Sequence, residues 1–137
     1  MTRRREEKKL VEEFIKKSPI PGKYEVEKPI PKTKVQGDKV IVNTLSGIFS
    51  LRADIFITTD DGGYVIVEAK TRMNPSQLGQ LLCYRDLFAE MYNIDPEKIK
   101  MIALCKDVED SLIKIFEKYG VEINKIDKEK GLLYISK

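Results

Sequence analysis

The sequence predicts an α/β fold, a three-layer sandwich in which helices flank a mixed central β-sheet. Helix-type and strand-type patterns alternate along the chain in the order helix, strands, hairpin, helix, strand, helix, strands. Two of the strand segments, 55–57 and 65–67, are continuous apolar runs, which is typical of strands covered on both faces. The length of 137 residues predicts a single domain over 1–137.

Residues 4–17 have the pattern of a helix with one apolar stripe. The stripe is formed by Leu10, Val11, Phe14 and Ile15. Glu7 falls at the centre of this stripe, which is unusual for an acid. Either Glu7 lies beyond the edge of the sheet near the helix N-terminus, or it points into a functional site.

Residues 18–37 contain four prolines and a glycine whose density excludes a helix: Pro19, Pro21, Gly22, Pro29 and Pro31. We expect a short edge strand at Tyr24–Val26. A further strand is predicted at 39–44, followed by a turn at 45–47.

The segment 51–72 has the pattern of a β-hairpin, with a turn at Asp60–Gly63. Because side chains alternate along strands, Asp54 on the first strand and Glu68 and Lys70 on the second converge if their faces coincide. Two carboxylates suit a hard divalent cation, and a nearby lysine can activate water or offset phosphate charge. The alternative is an amphipathic hairpin with charges on its solvated face.

After the hairpin, Asn74 is an N-cap and Pro75 begins a helix that runs to about Tyr92. This helix is apolar nearly all round, so we expect it to be buried against the sheet. Its polar stripe consists of Gln77, Gln80 and Tyr84. These side chains either satisfy one another's hydrogen bonds or belong to a site near Lys70.

The last third of the sequence predicts structural elements without a site. A strand is expected at 99–105, then a helix capped by Asp107 and stopped by Gly120. Two strands, 121–126 and 132–135, follow around a charged turn.

Three of these segments together resemble the PD-(D/E)xK, or restriction-endonuclease-like, nuclease superfamily. Asp54 followed by Glu68-Ala69-Lys70 resembles the signature of that superfamily. Gln80-Leu-Leu-Cys-Tyr84 is similar to the Gln-x-x-x-Tyr element of RecB-like nucleases, and Glu7 resembles the first-helix glutamate of archaeal Holliday-junction resolvases. The longer lead-in before Asp54 departs from the resolvases.

The resemblance implies a metal-dependent nuclease that acts on DNA in repair, recombination or defence. Asp54 and Glu68, joined by Glu7, would ligate Mg²⁺ or Mn²⁺. Lys70 would hold the attacking water, while Gln80 and Tyr84 would steady Lys70 or the scissile phosphate. Two alternatives remain open: a nucleic-acid-binding or scaffold domain without cleavage, and a nuclease acting on RNA.

Four basic residues are predicted to contact the nucleic-acid backbone: Arg52, Arg72, Lys32 and Lys34. Residues 1–40 hold 12 Lys or Arg against 7 Asp or Glu, so the positive charge concentrates in the first third. A solvated face explains this excess equally well, and lysines at a sheet edge also discourage pairing between molecules.

The amino-acid composition excludes several other kinds of protein and active site. The absence of histidine excludes zinc hydrolase sites and the usual nucleophilic triads. Cys83 and Cys105 lack metal-site spacing and are expected to be buried free thiols. No secretory signal or membrane span is expected, which favours a cytoplasmic location, and an excess of Lys and Glu suggests a thermophile. Specificity is expected from a homodimer or from a partner protein.

Overall fold

The computed structural model describes residues 3–30 and 51–136. The strand predicted at 39–44 and the turn at 45–47 lie outside the described residues. The same holds for Lys32 and Lys34, two of the predicted nucleic-acid contacts.

Helices and strands follow one another in the predicted order. The elements are α1 (Arg3–Lys17), β1 (Gly22–Ile30), β2 (Leu51–Thr59), β3 (Tyr64–Arg72), α2 (Pro75–Tyr92), a 3₁₀ turn (Pro96–Lys98), β4 (Ile99–Asp107), α3 (Asp110–Lys118), β5 (Val121–Asp127) and β6 (Gly131–Ser136). The apolar runs predicted to lie in doubly covered strands fall in β2 and β3, where they are fully buried.

The six described strands form one mixed sheet in the order β1-β2-β3-β4-β5-β6. β1, β2 and β3 are antiparallel neighbours, whereas β3, β4 and β5 run parallel. β5 and β6 close the sheet as an antiparallel pair. Helices α2 and α3 occupy the two parallel crossovers, which is where a crossover connection requires them.

Two apolar clusters cover the two faces of the sheet. On one face α1 contributes Leu10, Val11 and Phe14, which pack against the strands. On the other face α2 and α3 contribute Leu81, Phe88 and Phe116 to the second cluster. The arrangement is helix, sheet, helices, which confirms the predicted three-layer sandwich. None of the helices within residues 3–30 and 51–136 has the length and apolar character needed to cross a lipid bilayer.

Local signals at turns and helix ends are confirmed. The Asn74 carboxamide oxygen accepts a hydrogen bond from the Gln77 backbone N–H at 3.0 Å, so Asn74 is the N-cap of α2. Gly62 in the hairpin turn has φ +91° and Gly120 after α3 has φ +78°. Both values lie in the left-handed region that glycine adopts without steric penalty.

The prediction that α2 is buried against the sheet is confirmed for one face of the helix, whereas the predicted burial of Cys83 is wrong. The buried residues of α2 all lie on one face: Gln77, Leu81, Tyr84, Phe88 and Ala89. α2 lies on the outside of the sandwich, so the remaining apolar residues are half-exposed and Cys83 is exposed. Cys105 is buried as predicted.

The sequence predicts that Asp107 caps the following helix, and this prediction is wrong. It is the last residue of β4, where it pairs in register with Arg72 of β3. Its carbonyl accepts a hydrogen bond from the Met73 N–H at 2.9 Å, which extends β4 two residues beyond the apolar run. The helix therefore begins at Asp110, with Glu109 in the N-cap position.

Candidate active site

Asp54 lies where the regular ladder of β2 is interrupted on both sides. Toward β3, the ladder ends with the pair Ile55 and Val67, although both strands continue. Toward β1, the pairing skips Glu27 and Asp54, and Glu27 has the left-handed value φ +52°. The sheet is therefore open at this position.

Carboxylates replace the missing ladder bonds between β2 and β3. Asp54 Oδ2 accepts a hydrogen bond from the Ala69 N–H at 2.8 Å. In return, Glu68 Oε1 accepts one from the Asp54 N–H at 2.9 Å. These bonds satisfy backbone donors that would otherwise be buried and unpaired. They also fix both carboxylates at the opening.

The opening is the floor of a cleft of about 670 Å³, here called the site cleft. It is lined by Arg4, Glu7, Lys8, Val11, Val26, Glu27, Arg52, Asp54, Glu68, Lys70, Gln80 and Tyr84. Because the sheet is open here, helices from both outer layers reach the same cleft. Six of the predicted catalytic or metal-binding residues, from four distant segments, thus share one cavity.

Burial makes the two carboxylates prone to hold a proton. The Glu68 side chain is 3 % exposed, and burial, with the neighbouring Asp54 charge as a second cause, raises the pKa of Glu68 to about 9. Burial also raises the pKa of Asp54, against the lowering effect of its bond from Ala69. Burial therefore favours the protonated form of both carboxyl groups in the metal-free protein.

Lys70 follows the carboxylates on β3 and faces α1 across the cleft. Its Nζ lies 4.0 Å from Oε1 of Glu7, and both side chains are about one-fifth exposed. Within residues 3–30 and 51–136, no three Asp, Glu, Cys or His side chains are grouped closely enough to hold a metal ion. Glu7 thus shares the cleft but is not drawn into the Asp54–Glu68 pair.

Gln77 anchors α2 to the strand that carries the site. Its side chain is completely buried, and Nε2 donates to the Glu68 carbonyl at 2.8 Å and to the Leu104 carbonyl at 3.1 Å. This one amide group joins β3, β4 and α2. It belongs to the predicted polar stripe, but it lies under the sheet strands and does not line the cleft.

Gln80 and Tyr84 lie one and two turns further along α2 and do line the cleft. Tyr84 is 5 % exposed. Its pKa is raised to about 12, first by burial and then by the charges of Glu68 and Asp54. The phenol is therefore protonated at neutral pH and available as a hydrogen-bond donor. Both residues thus share the cleft with Lys70, and their role beside Lys70 or a phosphate stays a prediction.

The predicted nucleic-acid contacts separate in space. Arg52 is exposed and lines the site cleft. Arg72 does not line it, and its guanidinium is paired with Glu109 at 3.0 Å. Arg72 therefore joins β3 to the start of α3.

Three charged residues of the cleft are absent from the sequence-based prediction. Arg4 and Lys8 lie on the same side of α1 as Glu7 and line the cleft with it. Arg4 and Lys8 are four residues apart and therefore lie on one side of the helix, the side that carries Glu7, and the sequence alone shows this spacing. Glu27 also lines the cleft, and its charge contributes to the raised pKa of Asp54. Nothing in the sequence marks Glu27 as a residue with positive φ.

The donor set fits a hard divalent cation. Asp54 and Glu68 provide carboxylate oxygens in the same cleft, and such oxygens are the preferred ligands of Mg²⁺ and Mn²⁺. Burial raises the pKa of both carboxyl groups, and a bound cation can take the place of a proton on such groups.

Comparison with known proteins bears on the fold. No protein-family model matches the sequence, and no curated protein matches it. Among solved structures, the chain is similar to a repair endonuclease from Pyrococcus abyssi, with 23% identity over 75% of this chain and a TM-score of 0.48. It is also similar to a complex of EndoMS with double-stranded DNA, with 21% identity over 85% of this chain and a TM-score of 0.52.

The chain covers 39% and 42% of these two proteins, so it spans about two-fifths of their length. The likeness to the EndoMS complex, with the six-stranded mixed sheet between helices, confirms the predicted restriction-endonuclease-like fold. At this level of identity the likeness concerns the fold alone.

The anchoring role of Gln77 predicts a large stability loss for Gln77→Leu. The substitution leaves the buried carbonyls of Glu68 and Leu104 without this donor, which costs about 2–4 kcal/mol. Gln80→Leu is the matched control, because Gln80 lies on the same helix but lines the cleft; we expect a loss of about 1 kcal/mol or less. Urea unfolding of both variants measures the difference, and equal losses would contradict the anchoring role.

The raised pKa of Glu68 predicts a pH-dependent stability in the metal-free protein. Its ordinary pKa is 4.5 and its folded value is about 9, so between these values the folded state binds more protons than the unfolded state. Stability from this group is therefore full below pH 4.5 and falls as pH rises toward 9, by at most about 1.4 kcal/mol per pH unit.

Glu68→Gln removes this titration, so its unfolding free energy should fall less than that of the wild type between pH 6 and pH 8. Urea unfolding in EDTA measures both proteins. The exposed Glu97→Gln is the control and should keep the wild-type pH dependence. A wild-type slope equal to that of Glu68→Gln would show that Glu68 ionises normally.

Proposed function

We propose that this chain is a Mg²⁺- or Mn²⁺-dependent nuclease that hydrolyses phosphodiester bonds of DNA. The observation that carries the proposal is the convergence of Asp54, Glu68 and Lys70 at an opening in the sheet. The likeness in fold to a protein solved with double-stranded DNA supports DNA as the substrate.

Asp54 and Glu68 would hold the cation. When bound, it would supply Lewis-acid stabilisation of the charge on the phosphoryl group. The bonds from the backbone amides of Ala69 and Asp54 keep the two carboxylates in position before the substrate arrives. This preorganisation lowers the cost of reaching the transition state.

Lys70 provides the amine of the site. As an ammonium group it donates hydrogen bonds, which lets it orient the attacking water and offset negative charge that develops on the phosphate oxygens. Glu7 at 4.0 Å orients this amine toward the cleft. The protonated phenol of Tyr84, which lines the cleft beside Gln80, adds a second donor.

Cleavage of plasmid and branched DNA with and without Mg²⁺ or Mn²⁺ tests the proposal. Lys70→Ala should reduce the rate by about 10²-fold or more, because it removes a donor that stabilises transition-state charge. Lys106→Ala is the matched control, since Lys106 lies on the adjacent strand β4 and does not line the cleft. Equal rates for Lys70→Ala and wild type would end the proposal. A parallel RNA substrate would reveal a ribonuclease.

The ligand role of Glu7 stays a prediction, and manganese titration separates it from a role as the partner of Lys70. If Glu7 acts through Lys70, Glu7→Gln should lower the cleavage rate while its Mn²⁺ affinity stays within about 2-fold of wild type. Asp54→Asn removes a proposed ligand and should weaken Mn²⁺ binding by about 10-fold or more. Equal loss of Mn²⁺ affinity in both variants would make Glu7 a ligand.

A further inference from the structure

Three cations surround the site cleft and have no partner within the part of the chain that the structure describes. Arg4 and Lys8 lie one turn apart on α1, and Arg52 lies near the start of β2. All three are exposed and line the cleft. We refer to Arg4, Lys8 and Arg52 as the basic rim.

The other basic residues near the site are engaged. Lys70 contacts Glu7, and Lys28 is paired with Glu25 at 3.0 Å. Arg72 is paired with Glu109. The basic rim therefore differs from its surroundings, because its charges are accessible and no ion pair among residues 3–30 and 51–136 compensates them.

The acids of the cleft give the basic rim a physical task. Glu7, Glu27 and Asp54 face the same cavity, so a polyanion that approached them alone would be repelled. Cations at the mouth of the cleft offset this repulsion before a phosphate reaches the floor. A site that binds a phosphodiester next to carboxylates therefore needs positive charges nearby.

We propose that the basic rim binds the sugar–phosphate backbone of the nucleic acid on both sides of the phosphate that enters the cleft. This inference rests on the proposed function. Arg4 and Lys8 are separated by one helical turn, about 6 Å along α1, so they can contact two separate phosphate groups. The guanidinium groups of Arg4 and Arg52 match two oxygens of a phosphate at once.

Binding through the basic rim is independent of base sequence, because it is made to phosphates alone. A nucleic-acid strand is the occupant favoured by the shape and charge of the cleft. Cations and acids line the same cleft, and the phosphates of a nucleic-acid strand match the cations in charge. A flat anionic lipid surface would meet only the mouth.

Fluorescence anisotropy with labelled duplex DNA in EDTA tests the proposal without cleavage. The variant is Arg4→Ala/Lys8→Ala. Its control is Lys9→Ala/Lys16→Ala, which removes the same charge from exposed positions of α1 that do not line the cleft. A second pair with glutamine in place of alanine guards against altered helix stability, and circular dichroism checks the folding of every variant.

We expect the rim variant to bind at least about 10-fold more weakly at 100 mM salt. The slope of log K against log salt should become shallower by about two, one for each lost phosphate contact. Two unrelated DNA sequences should show the same loss. The control variant should stay within about 3-fold of wild type.

Equal weakening in the rim variant and its control would reduce the effect to net charge and overturn the proposal. A loss confined to one DNA sequence would do the same, and so would unchanged DNA binding alongside lost binding to phosphatidylglycerol vesicles. The proposed function fails separately, if the wild type binds DNA through the rim but does not cleave it with Mg²⁺ or Mn²⁺. If the wild type cleaves DNA but the rim variant binds DNA as tightly as the wild type does, only the proposal about the basic rim is rejected.

Discussion

The structure of the site depends on the two hydrogen bonds that Asp54 and Glu68 exchange with each other's strands. Asp54 accepts from the Ala69 amide and Glu68 accepts from the Asp54 amide. A regular ladder at this point would pair backbone with backbone and would leave no cleft between β2 and β3. Because side chains make these bonds, the sheet opens while its buried donors stay satisfied. The two carboxylates are thereby held close together in a place where their charge is costly.

The opening also explains how the two outer layers serve one cleft. Helix α1 brings Glu7 and the basic rim residues Arg4 and Lys8 from one side of the sheet, and α2 brings Gln80 and Tyr84 from the other. Gln77 fixes α2 to the carbonyl of Glu68, the residue whose carboxylate faces the cleft. Displacement of α2 would therefore shift the backbone of Glu68 together with the side chains of Gln80 and Tyr84.

Much of this arrangement is readable from the sequence, because it depends on local patterns. Alternation along the hairpin identified Asp54, Glu68 and Lys70, and the Asn74-Pro75 cap located α2. Composition could not show which face of α2 is open to solvent, so the predicted burial of Cys83 is wrong. The predicted helix cap at Asp107 is also wrong, because Asp107 pairs with Arg72 between β3 and β4. The left-handed Glu27 depends on contacts between β1 and β2 that no local pattern encodes.

The central proposal is that Asp54 and Glu68 form one cation site, in which the raised pKa of Glu68 favours a bound proton when no metal is present. Calorimetric titration with Mn²⁺ at pH 7, repeated in buffers of different ionisation enthalpy, counts the protons displaced. The account predicts one cation bound per chain with release of about one proton, because the pKa of Glu68 lies at about 9 without metal. Absence of binding, or binding without proton release, would contradict it.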